Sequence, residues 1–162
     1  LEICTQSVGC RKQRLADVLR VYGAPIELDY GETLGLWGEL RQLRVLSDMP
    51  SCLWRISTSP RNGPKVVAAI RRHMAAEAYC DWSGGLVWLE VPSSADAGAS
   101  DIRRAVAVHG GHATLIRADP QVRASVDVFQ PQTRTLERLT RNLKAAFDPH
   151  GILNPGRMYS GV

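Results

Sequence analysis

The segment from residue 52 to residue 117 constrains the fold most, because it alternates strand-like and helix-like spacing of apolar residues. Alternation of apolar and polar side chains predicts strands, and a repeat of three to four residues predicts helices. Ser83-Gly84-Gly85 joins two predicted strands, and glycine permits the positive φ angles of a hairpin turn. The predicted elements are strands over 52–58, 79–82, 86–91 and 112–117, and helices over 64–78 and 100–109.

This order of elements predicts an α+β fold. An antiparallel sheet with helices packed on one face, in a ferredoxin-like arrangement, accounts for split β-α-β units of this kind. Periodicity alone leaves a doubly wound parallel sheet open, although the glycine turn at 83–85 favours at least one antiparallel pair.

Residues 1–46 are predicted to add a similar strand and helix unit. A strand over Leu1–Thr5 precedes a helix over Val8–Tyr22, and a weaker strand contains Ile26 and Leu28. Asp29-Tyr30-Gly31-Glu32 has capping-box spacing ahead of a second helix. The apolar residues predicted to face inward are Leu15, Val18, Leu19 and Tyr22 on the first helix, and Leu36, Trp37, Leu40 and Leu43 on the second.

Bulk composition fits one globular domain with no cofactor required for folding. The chain has 162 residues, of which 44% are apolar and 22% charged, and no apolar run is long enough to span a membrane. Its net charge of +4 comes from dispersed arginines, and only 6% of residues are aromatic, so nucleic-acid binding is disfavoured. Cys4, Cys10, Cys52 and Cys80 form no C-x-x-C pair, which predicts reduced thiols, no metal site and a cytoplasmic location.

The end of the chain combines an amphipathic helix with a stiff polar tail. Leu136, Leu139, Leu143, Ala146 and Phe147 share one helical face. Pro149 ends the helix, and Asn154-Pro155-Gly156 suits a tight turn that presents Asn154, the backbone N–H of Gly156 and Arg157 to an electron-rich partner. The other interpretation of this segment is a helix stop followed by a frayed terminus.

Several motifs together resemble a known family. Phe147-Asp148-Pro149-His150-Gly151-Ile152-Leu153-Asn154-Pro155-Gly156-Arg157-Met158 is similar to the C-terminal signature of the FAD-linked oxidases of the vanillyl-alcohol oxidase type. Three further segments resemble the FAD-binding subunit of bacterial glycolate oxidases within that family: Leu53–Ser57, Asp81–Leu89 and Gly110–Arg117.

The resemblance implies that residues 1–162 are the α+β C-terminal cap domain of a longer flavoprotein subunit. Its cofactor would be FAD, held mostly by an N-terminal domain that precedes this chain. Residues 147–162 would be a tail directed to that domain, with Asn154, Pro155, Gly156 and Arg157 near the cofactor. The implied partners are a catalytic flavoprotein subunit and an iron-sulfur subunit, with no direct membrane insertion, although the complex could lie at the inner membrane.

Four residues are candidates for a pocket, each with a structural alternative. Arg55 lies on the more polar side of its strand, where it can be solvated, salt-bridged or directed to substrate. Asp81, beside Trp82, can accept hydrogen bonds from the glycine turn or line a pocket near the flavin. His112 begins a strand and can be structural or a catalytic base.

The sequence departs from the family in one motif, and this argues against assigning catalytic residues to the chain. The catalytic subunits carry a His-x-Gly-Asp-Gly-Asn-type motif, which this sequence lacks, so its catalytic residues stay unknown and an accessory role in 2-hydroxy acid oxidation is favoured. A hypothesis of another class is a ferredoxin-like ligand-binding or protein-interaction module without redox activity.

Overall fold

The structure is a computed structural model that describes residues 2–44, 46 and 51–162. The chain divides into two compact units, Leu1–Val45 and Leu46–Val162. Every strand of the described residues lies in the second unit. Whether the first unit belongs to the same domain in the full-length protein stays a prediction.

The first unit is helical. Helix α1 spans Glu2–Leu19 and is followed by a 3-10 turn at Arg20–Tyr22, and helix α2 spans Tyr30–Arg41. The predicted capping box is confirmed: Asp29 accepts a hydrogen bond from the Glu32 backbone N–H at 2.8 Å, and Glu32 accepts one from the Asp29 N–H at 2.8 Å. The strand predicted over 1–5 is wrong, since residues 2–5 belong to α1, and Leu1 lies outside the described residues.

The predicted inward faces of these helices are also wrong. No side chain described between residues 7 and 44 is buried, and Trp37 is 56% exposed. Residues 24–29 contain no strand, so Ile26 and Leu28 have no sheet to join. The physical reason is that two short helices alone offer too little apolar surface to form a core.

The second unit begins with a four-stranded antiparallel sheet and two helices. These elements are strands β1 (Ser51–Ser57), β2 (Glu77–Asp81), β3 (Leu86–Pro92) and β4 (His112–Arg117), and helices α3 (Gly63–Arg71) and α4 (Ala99–His109). The strand order is β2-β3-β1-β4, and every neighbouring pair is antiparallel. This β-α-β-β-α-β order confirms the predicted α+β, ferredoxin-like class and excludes the doubly wound parallel sheet.

One face of the sheet forms the core with α3 and α4. Trp54, Ile56 and Leu89 are fully buried there against helix residues such as Ile70 and Ile102. The Trp54 indole N–H donates to the Ala97 carbonyl at 2.8 Å, so its polar group is paired inside the core. The other face, turned away from α3 and α4, is called the outer face below.

One connection differs from the sequence prediction and one confirms it. Helix α3 ends at Arg71 rather than near residue 78, and the residues that follow form a turn in which the Arg71 Nε donates to the Ala76 carbonyl at 2.9 Å, just before β2 begins. The link from β2 to β3 is the predicted hairpin turn, with positive φ angles of 50° at Trp82 and 55° at Ser83. Gly84 has φ +94°, and a Cβ on it would lie 2.5 Å from the Pro60 carbonyl oxygen, so only glycine fits there.

The chain after β4 contains two further helices. Helix α5 spans Pro120–Ser125, and helix α6 spans Arg134–Phe147. The predicted apolar face of α6 is exposed to solvent: Leu139 is 62% and Phe147 is 79% exposed. Within the described ranges, no helix has the length and apolar character needed to cross a membrane.

Candidate functional site

The tail after α6 is folded around one carboxylate. Asp148 is buried, and its two oxygens accept hydrogen bonds from the backbone N–H groups of Ile152 and Leu153 at 3.0 and 2.9 Å. The Lys144 ammonium contacts Asp148 Oδ2 at 2.8 Å. The hydrogen bond from Lys144, together with that from the Leu153 N–H, lowers the pKa of Asp148. Asp148 is therefore more than a helix stop, because it fixes the first residues of the tail.

The tail then closes a small loop on itself. The Gly156 N–H donates to the Val162 carbonyl at 2.7 Å, and the Arg157 N–H donates to the Asn154 carbonyl at 3.2 Å. Asn154 and Gly156 have φ angles of 46° and 68°, which give the segment its sharp turns. The expectation that the Gly156 N–H is free is wrong, since that group is occupied within the loop.

A second contact fixes the far end of this loop. The Tyr159 hydroxyl donates to the Gln130 carbonyl at 3.3 Å, and its ring lies 6.1 Å from that of Phe129. Arg103 on α4 in turn donates to the Phe129 carbonyl at 3.0 Å. The tail is thus tied to the segment that precedes α6, and that segment is tied to the core helices.

Between these two anchors the polar residues of the tail are exposed. Asn154, Pro155, Gly156 and Arg157 are all open to solvent. The frayed-terminus interpretation does not describe this segment, because its backbone is hydrogen-bonded on both sides of the exposed turn. An amide and a guanidinium held on a fixed turn can together bind an anionic or electron-rich group.

The outer face of the sheet carries a second group of candidate residues. Strand register places Tyr79, Trp88, Arg55 and Thr114 in one row across the four strands. All four are half-buried. Aromatic rings beside a guanidinium form a surface that suits a small anion or a planar ligand.

Three of the four predicted pocket residues lie on this outer face. Arg55 stands near its centre, while Asp81 and His112 lie in the neighbouring row, at opposite edges of the sheet. Three strand spacings separate Asp81 from His112, or about 14 Å, so the two do not form an acid–base pair. Trp82 lies beyond the end of β2 and is 71% exposed, and its backbone N–H donates to Asp81 Oδ1 at 2.7 Å.

The remaining row of the outer face contains a buried acid. Glu90 is 4% exposed, and its Oε1 accepts hydrogen bonds from the Ser51 hydroxyl and from Arg117, whose Nη2 lies at 3.3 Å. Burial and the negative charge of Asp81 both raise the pKa of the Tyr79 phenol. The outer face thus combines aromatic rings with the ion pair of Glu90 and Arg117, while Glu90 Oε2 is buried without a hydrogen-bond partner among the described residues.

Sequence reasoning missed several of these residues, although signals for them existed. Lys144 and Asp148 stand four residues apart at the end of α6, which is ion-pair spacing. Trp88 and Glu90 alternate with the buried residues of β3, which places them on the other side of the sheet. This alternation predicts Leu86, Trp88 and Glu90 on one face of a strand with both faces largely buried, and Leu86 and Glu90 are indeed buried.

Comparisons with known proteins find a family model and a relative that match this chain. A family model described as FAD linked oxidases, C-terminal domain, matches residues 132–158, which span α6 and the tail. The chain is 34% identical over 125 residues to glycolate oxidase subunit GlcE of Escherichia coli (strain K12), a match that covers 76% of this chain and 31% of the relative. No solved structure matches the chain.

The fold is therefore that of an α+β, ferredoxin-like domain with an exposed C-terminal turn. The chain is similar to the C-terminal part of FAD-linked oxidases, through the family model over α6 and the tail and through its likeness to glycolate oxidase subunit GlcE. It spans about a third of the length of that relative.

Proposed function

We propose that this chain is the cap domain and C-terminal tail of the FAD-binding subunit of a glycolate, or other 2-hydroxy acid, oxidising complex. In this proposal most of the FAD is held by a domain that precedes the chain in the full-length protein. The observation that carries the proposal is the exposed Asn154–Arg157 turn, held between two anchors within the segment matched by the family model.

The residues present fit the cofactor. Asn154 offers an amide, and Arg157 offers five N–H donors on a cation, which suit the carbonyl oxygens and the pyrophosphate of FAD. FAD, when bound, supplies the hydride acceptor for alcohol oxidation. The chain itself would bind and orient the cofactor through Asn154 and Arg157.

The exposed apolar face of α6 supports the same arrangement. Leu136, Leu139, Leu143 and Phe147 form a continuous stripe on the helix that leads into the tail. Large exposed apolar patches usually mark interaction surfaces. The FAD-holding domain is proposed to cover this stripe, so that α6 delivers the tail to the cofactor.

The outer face is proposed to form the substrate side of the domain. Arg55 would bind the carboxylate of a 2-hydroxy acid, with Asp81 and His112 at the margins of the same surface. Trp82 follows Asp81 and is exposed. No residue is assigned as a catalytic base, because Asp81 and His112 lie too far apart to act as a pair.

The role within the complex is proposed to be accessory. The chain lacks the histidine-containing motif that catalytic subunits carry, so it would contribute to the flavin environment and to electron transfer. Its partners would be the catalytic flavoprotein subunit and the iron-sulfur subunit. The complex would be cytoplasmic or peripheral to the inner membrane.

The test is flavin retention by the full-length protein. Arg157→Ala should lower FAD content, measured from the visible absorption of the purified protein, because it removes an exposed cation from the turn. Arg138→Ala is the control, because it removes an exposed arginine that lies on α6 and not in the tail, and it should leave the FAD content unchanged. Equal occupancy in the Arg157→Ala variant and the parent would contradict the role of the tail.

An alternative function rests on the outer face. The row of Tyr79, Trp88 and Arg55 would also suit a ligand-binding or protein-interaction module without redox chemistry. The visible spectrum separates the two functions. A full-length protein purified without flavin, and unable to take up added FAD, would favour the module.

A further inference from the structure

The exposed turn at the tail is held at its start by two side chains, Lys144 in the last turn of α6 and Asp148 directly after the helix. Asp148 binds the Leu153 backbone N–H at 2.9 Å, and the Lys144 ammonium donates to the Leu153 carbonyl. Lys144 and Asp148 also contact each other at 2.8 Å. Both polar groups of Leu153, the residue directly before Asn154, are therefore held by one ion pair.

The Lys144–Asp148 ion pair is less exposed than the Glu137–Arg141 ion pair on α6. The side chains of Lys144 and Asp148 are 23% and 4% exposed, whereas those of Arg141 and Glu137 are 56% and 43% exposed. Exposed ion pairs contribute little to stability, while charge-assisted hydrogen bonds that are sheltered from water are stronger and more directional. Only the Lys144–Asp148 pair, of these two, also binds the backbone of the tail.

Fixing Leu153 determines where the next residues point. The chain turns sharply at Asn154, with φ 46°, so a rotation of the preceding peptide groups would redirect the amide of Asn154 and the guanidinium of Arg157. The next tie to the rest of the domain is Tyr159, which lies beyond the turn. The direction of the turn thus depends on Lys144 and Asp148 at one end and on Tyr159 at the other.

We propose that Lys144 and Asp148 are positioning residues that aim the Asn154–Arg157 turn at the flavin. This inference rests on the proposed function of the tail. Neither residue needs to touch the cofactor, because each acts through the backbone of residues 152 and 153. Without these contacts the tail would still carry Arg157, but the guanidinium would point in many directions. Binding FAD would then cost the conformational entropy of ordering the tail.

The experiment measures FAD affinity and tail order in the full-length protein. Asp148→Asn and Lys144→Met each remove the ion pair. Asp119→Asn is the matched control for the first, because Asp119 also accepts a backbone N–H, that of Gln121 at 2.8 Å, at the start of α5. Arg141→Met is the control for the second, because it breaks the exposed ion pair on α6.

The expected result is a rise in the FAD dissociation constant of about tenfold for Asp148→Asn, as lost charge-assisted hydrogen bonds suggest, with little change in the controls. Amide hydrogen exchange at Ile152 and Leu153 should speed up in Asp148→Asn and Lys144→Met alone. Because both residues hold one segment, the double variant should weaken FAD binding by less than the product of the single effects. Both variants should also lose some stability, because the ion pair with its sheltered carboxylate stabilises the fold, so FAD affinity is compared at a temperature at which every variant is folded.

Two results would overturn the inference. One is faster exchange at Ile152 and Leu153 with unchanged FAD affinity, and the other is unchanged exchange in both variants. If Asp148→Asn fails to fold, Lys144→Met decides alone. Arg157→Ala separates failure of this inference from failure of the proposed function. If FAD binding is weaker in Arg157→Ala but unchanged in Asp148→Asn and Lys144→Met, only the positioning role is refuted.

Discussion

The exposed stripe of α6 leads to a quantitative prediction for Leu139→Ala. Fully burying a leucine contributes about 1.5–3 kcal/mol, and Leu139 is 62% exposed in this chain. Covering it by the FAD-holding domain would therefore add about 1–2 kcal/mol. The substitution should lower the free energy of unfolding by less than about 0.5 kcal/mol in the 162-residue chain, as at other exposed sites, but by about 1–2 kcal/mol in the full-length protein.

Urea unfolding, followed by tryptophan fluorescence, measures both values. Leu89→Ala is the matched control: Leu89 is fully buried in the sheet, so its truncation should cost about 2–5 kcal/mol in either protein. The reasoning depends on a difference between the two proteins at Leu139 and on its absence at Leu89. An equal effect of Leu139→Ala in both proteins would show that nothing covers the stripe.

Three further predictions concern the core, the tail and the outer face. Trp54→Phe should lower the unfolding free energy by about 1–3 kcal/mol in a denaturant titration, because it leaves the Ala97 carbonyl without its donor in the core. The pKa of Asp148 is lower in the folded state than its ordinary value of 3.8, so the carboxylate stabilises the fold above pH 3.8. This stabilisation is lost as the pH falls through the lower pKa of the folded state. The amide resonance of Leu153 should therefore stay native at pH 5 and change only below about pH 3.8. If Arg55 binds the substrate carboxylate as proposed, Arg55→Gln should raise the dissociation constant of glycolate for the full-length protein while leaving its FAD content unchanged, and an unaltered dissociation constant would remove Arg55 from substrate binding.

The sheet was predictable because its signals are local. Apolar alternation and the glycine turn before β3 were enough to place the strands, but periodicity left a parallel sheet open, and only the strand pairing of the structure establishes the antiparallel sheet. The end of α3 was not predictable, since Arg71 and Ala76 meet through a hydrogen bond that no periodicity reports. The residues after Arg71 remain suitable for a helix in isolation, and tertiary contacts decide against it.

The apolar helical faces show where periodicity stops being informative. Leu15 on α1 and Leu143 on α6 both stand on apolar faces, and both are exposed in the structure. A helical repeat of apolar residues predicts that one face of the helix is buried, but it does not predict which part of the protein or of a partner covers that face. The sequence therefore predicted the stripe on α6 correctly and gave no information about its partner.

The candidate site was predictable in its composition more than in its geometry. Asn154 and Arg157 are exposed as expected, yet the Gly156 N–H is occupied within the loop, and the role of Asp148 was not foreseen. Hydrogen bonds between a side chain and a backbone four or five residues away depend on the path of the chain. That path follows from the structure and not from the spacing.

The two candidate arginines differ in their surroundings, since Arg157 in the tail is exposed and Arg55 on the outer face is half-buried. The variant of Arg157 should therefore be tested first. At the tail, buried groups fix the backbone while Arg157 projects freely, so loss of its cation should affect binding without unfolding the domain. On the outer face, Arg55 is half-buried between strand neighbours, so its replacement changes packing as well as charge. A clean result at Arg157 therefore tests cofactor binding directly. A result at Arg55 can be read as substrate binding only when the FAD content and stability of the variant match those of the parent.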